Sequence, residues 1–239
     1  MESNWRRQLL KTILVTGANG DIAAAWISRL ERQHHRIIGM DLKPSRYPYL
    51  QTFLCDLSDE NEIINCLRQG EGGWLEEVDA IVHLAGLYPN LPLESYDSQL
   101  WDRVHAVNVK SLYLIVQYMV ARPCVKLQNI VITSSTAAKT GSRDPAYASS
   151  KAALIGLAKS LSVSLADRHI RVNTILPGII ETAMSHVQSE ERKQFHKERT
   201  LAKYIGQPEE VANVISFLLD EQSSYIWGAA IDINGGMTL

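Results

Sequence analysis

Thr16-Gly17-Ala18-Asn19-Gly20-Asp21-Ile22-Ala23 closes a short apolar run, Thr12–Thr16, and opens a stretch with apolar residues at Ile22, Ala23, Trp26, Ile27 and Leu30. That spacing is helical, so the segment reads as strand, glycine turn, helix. Gly17 permits the tight turn, Gly20 lets the backbone approach a pyrophosphate, and the small Ala23 lets the helix lie close to the sheet. The helix N-terminus then offers free N–H groups to phosphates. A plain strand-to-helix turn can look the same, and its position is what decides. The second strand, Arg36–Asp41, ends in a carboxylate roughly 20 residues after the turn, where an acidic residue meets the ribose of an adenosine. Asp41 would accept hydrogen bonds from both ribose hydroxyls and repel the 2′-phosphate of NADP, with Lys43 and Arg46 close enough to soften the repulsion. The expected cofactor is NAD rather than NADP. Gly17, Asn19, Gly20, Asp21 and Ile22 form the expected phosphate turn, and Asp41 with Leu42 the adenosine side.

The alternation continues outward. Phe53–Cys55, Ala80–Leu84, Asn129–Ser134, Arg171–Leu176 and Ala230–Ile233 read as further short strands. Ser58–Glu62 reads as a capped, acidic helix start, and Gln99–Ala121, Tyr147–Asp167 and Gly206–Leu219 as helices. Short buried strands separated by helices predict an α/β fold: a doubly wound parallel sheet of the Rossmann type, three layers deep, in one domain over residues 1–239. Ala183–Lys203 breaks the alternation with a run of charge. Residues 183–205 are expected to be a substrate lid or a solvated surface excursion.

Bulk composition excludes other classes. The 239 residues carry a net charge of -2, which points to neither nucleic acid nor an anionic membrane. Cys55, Cys66 and Cys124 are too scattered for a disulfide framework, and neither a CxxC pair nor an HExxH pair suggests a metal site. The N-terminal segment, with Arg6, Arg7 and Lys11, lacks a signal-peptide core. Leu112–Ala121, broken by Gln117, is too short to span a bilayer and reads as a buried helix. A cytoplasmic location is expected.

Tyr147 and Lys151 stand four residues apart, on one face of a helix. Reducing a carbonyl requires a proton for the new alkoxide, and the reverse reaction requires a base. A phenol with a reference pKa of about 10 is a poor base at neutral pH, and a nearby ammonium stabilises its phenolate. Ser135, twelve residues before Tyr147 at a strand end, is placed to hydrogen-bond a substrate oxygen as charge develops; Ser134 is the alternative. Taken singly, these residues are also what a surface aromatic–cation pair and a helix cap would supply. Behind a dinucleotide turn they point together to catalysis.

The motifs, in order, resemble the short-chain dehydrogenase/reductase family. They are Thr-Gly-Ala-Asn-Gly-Asp-Ile-Ala at 16–23, Cys-Asp-Leu at 55–57, Leu-Ala-Gly at 84–86, Val-Asn-Val at 107–109 and Thr-Ser-Ser at 133–135. Tyr-Ala-Ser-Ser-Lys at 147–151, Arg-Val-Asn-Thr-Ile-Leu-Pro-Gly at 171–178, Thr182, Gly228 and Asn-Gly-Gly at 234–236 follow. The resemblance implies that Asp56 and Leu57 border the adenine and that Ala85 and Gly86 let the backbone pass close to the cofactor. It implies that Pro177, Gly178, Ile179 and Thr182 hold the carboxamide and pyrophosphate, that Tyr147 and Lys151 also touch the cofactor, and that Asn108 anchors a water relaying protons to Lys151. The pattern Ser-x-Ala-Ala favours Ser135 over Ser134. Two departures stand out. The usual TGxxxGxG has Asp at 21 and Ala at 23 here, with the extra glycine at 20, and Leu84 replaces the usual Asn. Both lean toward the epimerase-like branch.

The expected activity is hydride transfer between nicotinamide and a small-molecule secondary alcohol or ketone. A sugar or sugar-acid dehydrogenase or epimerase is the second reading, and a non-catalytic dinucleotide sensor the third. Tyr88, Met184 and Val187 are expected pocket walls. Arg143 meets an anionic substrate or simply faces solvent, while His186 and His196 read as surface residues. Gly228–Leu239 resembles a family segment that helps build a homotetramer, so a homo-oligomer (dimer or tetramer) is implied. Leu112–Ala121 could bury against a second copy or within the chain.

Overall fold

Along β1 (Thr12–Thr16) successive side chains enter opposite cores: Ile13 and Val15 one, Leu14 the other. A strand buried on both faces requires helices on both faces, and the chain supplies them. A computed structural model describes residues 11–30, 35–47, 50–122, 126–186 and 189–238. Cys124, Val187 and residues 1–10 lie outside the described residues.

Helix α1 (Asp21–Leu30) follows β1, then β2 (Arg36–Asp41), β3 (Gln51–Leu54), α2 (Glu60–Arg68) and β4 (Val78–His83). Next come α3 (Ser98–His105), a π-helical turn (Ala106–Lys110), α4 (Ser111–Val120) and β5 (Asn129–Thr133). The remainder is α5 (Ala137–Thr140), α6 (Pro145–Ser164), β6 (Arg171–Pro177), α7 (Ala183–His186), α8 (Glu190–Arg199), α9 (Pro208–Leu219) and β7 (Ala230–Ile233). The seven strands pair in parallel in the order β3-β2-β1-β4-β5-β6-β7. The order reverses between β1 and β4, and that reversal opens a crevice at the carboxyl ends of the strands. The expected doubly wound α/β sheet is therefore the observed one.

Each face has its own core. Ile63 and Leu67 of α2, Leu112, Ile115 and Met119 of α4, and Leu154 of α6 cover one side. Trp26 and Ile27 of α1 and Val211, Ile215 and Leu218 of α9 cover the other. Cys55 and Cys66 are buried free thiols. Most of the apolar face of α4 is buried within the chain, although Tyr113 stays half exposed.

Several element ends differ from expectation by one to three residues, and three cases bear on the site or the core. The catalytic-motif helix begins at Pro145 rather than Tyr147, because the Asp144 carboxylate caps it by accepting from Tyr147 N at 2.9 Å, with proline in the first turn. The single helix expected over Gln99–Ala121 is interrupted by the π turn, which contains Asn108. The third strand runs Gln51–Leu54, so Cys55 falls beyond it. The charged segment after β6 forms α7 and α8, with α8 capped by Ser189.

Trp26 ties α1 to α9: its indole is fully buried and its Nε1 donates to Ser216 Oγ at 3.0 Å. Trp26→Ala removes that volume and is expected to destabilise the fold by about 3–5 kcal/mol in a urea or guanidinium titration.

Candidate active site

The carboxyl end of β5 and the first two turns of α6 are fastened to each other. Lys151 is 3% exposed, and its Nζ donates to the Thr133 carbonyl at 2.8 Å. In return Ser134 Oγ donates to the Lys151 carbonyl at 2.6 Å. These two bonds fix Ser135, the next residue, relative to Tyr147, one turn ahead of Lys151. The Ser135 hydroxyl lies within hydrogen-bonding reach of the Tyr147 phenol. Gly86 borders the same ammonium, and a Cβ there would come 3.3 Å from Lys151 Nζ. Both serines line the cavity, but the Ser134 hydroxyl is committed to the Lys151 carbonyl, while the Ser135 hydroxyl reaches the Tyr147 phenol.

Burial dominates the electrostatics. It raises the Tyr147 phenol to about 12, a rise opposed by the Ser135 hydroxyl and assisted by Tyr88 and Asp144. Burial lowers the Lys151 ammonium to about 8. At neutral pH the phenol is therefore protonated and the lysine charged.

Asn108 stands behind this pair, fully buried in the π turn, a distortion of the kind often found at functional sites. Its Oδ1 accepts from Leu87 N at 2.7 Å, and its Nδ2 donates to Leu87 O at 3.2 Å and to Ser150 Oγ at 2.8 Å. Its backbone carbonyl lies 3.2 Å from His83 Nε2. Burial, reinforced by the Lys151 charge, lowers His83 to about 3, so the ring is neutral. A ring protonated at Nε2 donates to Asn108 O and accepts at Nδ1 from Thr16 Oγ1, 2.8 Å away. Asn108 thus couples the loop after β4 to the start of α6, through its side chain.

A second polar hub holds the substrate-side loop. Asp144, 1% exposed, accepts from Tyr147 N and Asn90 N at 2.9 Å each and from the Tyr96 hydroxyl. Tyr88 Oη donates to Asn90 Oδ1 at 2.8 Å, and its ring packs on Tyr147 with centroids 4.7 Å apart. The sequence reading missed the roles of His83, Ser134 and Asp144. Only Asp144 left a signal: an acid followed by proline just before an apolar helix.

The cofactor-side residues divide between two places. Ile22, Gly86, Pro177, Gly178, Ile179 and Thr182 line one cavity of about 220 Å³ together with Ser135, Tyr147 and Lys151. The others lie farther along the same sheet edge. Gly17, at φ +69°, bonds its N–H to Met40 O, and a Cβ there would meet Ala85 N at 2.8 Å. Asp41 accepts from Asn19 N and Lys43 N at 3.0 Å each, and Asn19 Nδ2 donates to the carbonyls of Lys43 and Pro44. Leu42 is 65% exposed beside it. Asp56 accepts from Ser58 and pairs with Arg103, while Leu57 is buried in the core. Gly20 N–H closes the turn onto Gly17 O, and the Asp21 carboxylate accepts from Ala183 N at 2.6 Å, tying the phosphate turn to α7. A backbone turn that only glycine fits, opening a helix beside a strand-end carboxylate, suits a dinucleotide.

The pocket walls differ partly from expectation. Tyr88 and Met184 line the cavity, whereas Arg143 is exposed and does not; the arginine in the wall is Arg192 of α8. His196 also lines the cavity, while His186 is exposed and pairs with Glu181. Among the described residues, no group of three or more His, Cys, Asp or Glu side chains could hold a metal, and no helix is long and apolar enough to cross a membrane.

Comparisons with known proteins agree with this geometry. Residues 20–238 match the family described as Enoyl-(Acyl carrier protein) reductase. The 3-oxoacyl-(acyl-carrier-protein) reductase FabG of Aquifex aeolicus is 34% identical over 230 residues, 95% of this chain and 87% of that protein. The (3R)-3-hydroxyacyl-CoA dehydrogenase of Rattus norvegicus is 31% identical, covering 94% and 95% of the two chains. Among solved structures, a 4-hydroxyisoleucine dehydrogenase complexed with NADH superposes with a TM-score of 0.87 at 26% identity, over 95% of this chain and 98% of that one. The chain belongs to the short-chain dehydrogenase/reductase family, dinucleotide-dependent oxidoreductases that interconvert secondary alcohols and ketones.

Proposed function

We propose that this chain is an NAD(H)-linked dehydrogenase/reductase for a small secondary alcohol or its ketone, working as a soluble cytoplasmic homo-oligomer of one catalytic domain per chain. The observation that carries the cofactor choice is Asp41. Its two oxygens already accept from Asn19 N and Lys43 N, which aims the carboxylate across the phosphate turn. Each oxygen keeps a second lone pair for a ribose hydroxyl, and the charge opposes a 2′-phosphate. Gly17, Asn19, Gly20, Asp21 and Ile22 would border the pyrophosphate, Leu42, Asp56, Leu57 and Ala85 the adenosine side, and Gly86, Pro177, Gly178, Ile179 and Thr182 the nicotinamide half. Half-exposed Tyr113, exposed Val163 and the 99%-exposed Tyr225 support association with a second copy.

A bound nicotinamide supplies or accepts the hydride. The chain's residues manage the proton and the developing charge. Tyr147 donates its phenolic proton to the substrate oxygen in reduction and recovers it in oxidation. Ser135 donates a hydrogen bond to that oxygen, and Lys151 brings positive charge toward the phenolate and the cofactor ribose. Asn108 keeps Leu87 and Ser150 in place behind them and would anchor a water relaying protons to Lys151. The sugar or sugar-acid reading stays within this same chemistry and differs only in what fills the pocket.

Titration with NADH and NADPH, followed by nicotinamide fluorescence, tests the assignment. The wild type is expected to bind NADH at least about tenfold more tightly, and Asp41→Ala to erase or reverse the preference, since one opposed charge at such a site is worth about 1–2 kcal/mol. An NADPH preference in the wild type would overturn the Asp41 assignment.

The pH dependence follows from the raised phenol. Reduction needs the protonated form, so its rate stays flat through neutral pH; oxidation needs the phenolate and rises with pH. Ser135 is the neighbour that holds the phenol down, so Ser135→Ala is expected to shift the oxidation limb to higher pH while lowering kcat by about 10²–10³. An unshifted limb in a pH–rate series would remove Ser135 from the site.

A further inference from the structure

The catalytic cavity is electrostatically one-sided. Two cations, Lys151 and Arg192, line it, and no aspartate or glutamate does among the described residues. Lys151 is held at the inner end by the Thr133 carbonyl. Arg192 comes from α8, on the side of Tyr88, whose hydroxyl it reaches. Because that hydroxyl donates its own proton to Asn90, it meets the guanidinium as an acceptor. Tyr88 in turn packs on Tyr147, so one aromatic ring separates the guanidinium from the proton-transferring phenol.

The other cations near the α8 helix are accounted for differently. Lys193 pairs with Glu181 and Glu190, Arg199 lies over the Phe195 ring, and Lys197 faces solvent, away from the cavity lining. Arg192 has no carboxylate partner among the described residues. One turn further along, His196 lines the same cavity, and its buried Nδ1 makes no hydrogen bond among the described residues. Buried polar atoms nearly always have a partner, so a buried ring nitrogen without one, beside a guanidinium that has no carboxylate partner among the described residues, calls for a ligand. Burial, with Arg192 and Arg199 adding to it, lowers His196, so the ring is neutral near pH 7 and brings a donor without a second charge.

Resting on the oxidoreductase reading above, we infer that the substrate is a small hydroxy or oxo carboxylate whose carboxylate is held by Arg192 and by His196 Nδ1, with its alcohol or ketone carbon at Tyr147. The guanidinium offers paired N–H groups matched to a carboxylate, and a single cation on this side matches a single negative charge. A cavity of about 220 Å³ is small beside typical ligand pockets of roughly 300–1,000 Å³, and favours a short acid over an extended chain. In oxidation the carbinol carbon gives a hydride to the oxidised nicotinamide, and its hydroxyl proton passes to the Tyr147 phenolate. The carboxylate is unchanged.

Abortive ternary complexes read the binding directly. The enzyme–NADH complex is titrated with 3-hydroxybutyrate, 4-hydroxypentanoate and 5-hydroxyhexanoate and with the methyl ester of each, following nicotinamide fluorescence. No turnover occurs, because both partners are reduced. A thermal-shift series with the same ligands and no nucleotide repeats the comparison independently of cofactor binding. At least one acid is expected to bind about tenfold or more tightly than its ester. Arg192→Leu should bring the ratio to about one while leaving NADH and ester affinities within about threefold, and Arg192→Lys should restore part of it. Acid and ester binding alike at every chain length, including undetectable binding of both, overturns the inference, as does an acid preference that survives in Arg192→Leu. Failure of the oxidoreductase reading looks different: an Arg192-dependent acid preference with no oxidation of any of the acids by NAD or NADP.

Discussion

A lysine ammonium buried against a backbone carbonyl is the constraint on which the site rests. Taking that charge out of water is unfavourable unless its donors are met, and among the described residues its hydrogen-bond acceptor is Thr133 O. The return bond from Ser134 to the Lys151 carbonyl locks the helix to the strand end. Once α6 is seated there, helix geometry places Tyr147 one turn ahead, and chain connectivity places Ser135 beside it. The donors left open on Lys151 face the cavity, where a ribose or a developing phenolate would receive them.

The surrounding polar groups keep that arrangement in register. Asp144 serves as helix cap and as anchor for Asn90 and Tyr96, so the loop after β4 is tied directly to the start of α6. Neutral His83 carries the same linkage underneath, from Thr16 at the end of β1 to the π turn at Asn108. The end of β1, the Tyr147–Lys151 pair and the loop after β4 therefore share one hydrogen-bonded frame. Fully met buried networks of this kind rigidify a site, while a single removed partner leaves a buried polar group exposed to its full desolvation cost.

Much of this was legible in the residues. Parallel strands buried on both faces read as short apolar runs, which locates β1 and β2, and the partly buried β7 reads the same way at the observed ends; the strand–helix alternation predicts the doubly wound sheet. Boundaries governed by capping were harder: the Asp144-Pro145 start of α6 lies in polar residues with no apolar period. The π turn was invisible because Val107 and Val109 continue the helical pattern around Asn108, and only backbone geometry separates a π turn from an α turn. His83 and Ser134 gave no signal, since each acts through a backbone carbonyl distant in sequence. Arg143, close to Tyr147 in sequence, reads as either a substrate contact or a solvent-facing residue, and it is exposed. The fold instead brings Arg192 to the pocket from a charged helix whose docking no periodicity reveals.

The central claim is that Tyr147 transfers the proton while the rest of the frame binds the dinucleotide. Tyr147→Phe removes one oxygen and leaves the helix cap, the ring packing on Tyr88 and the Lys151 clamp in place. The measurement that tests the claim most directly is turnover of a secondary alcohol by this variant, set beside its NADH dissociation constant from fluorescence titration. The expected result is a fall in kcat of about 10²–10⁴ with NADH affinity unchanged. Turnover near the wild-type rate, or loss of NADH binding in parallel with activity, would contradict it.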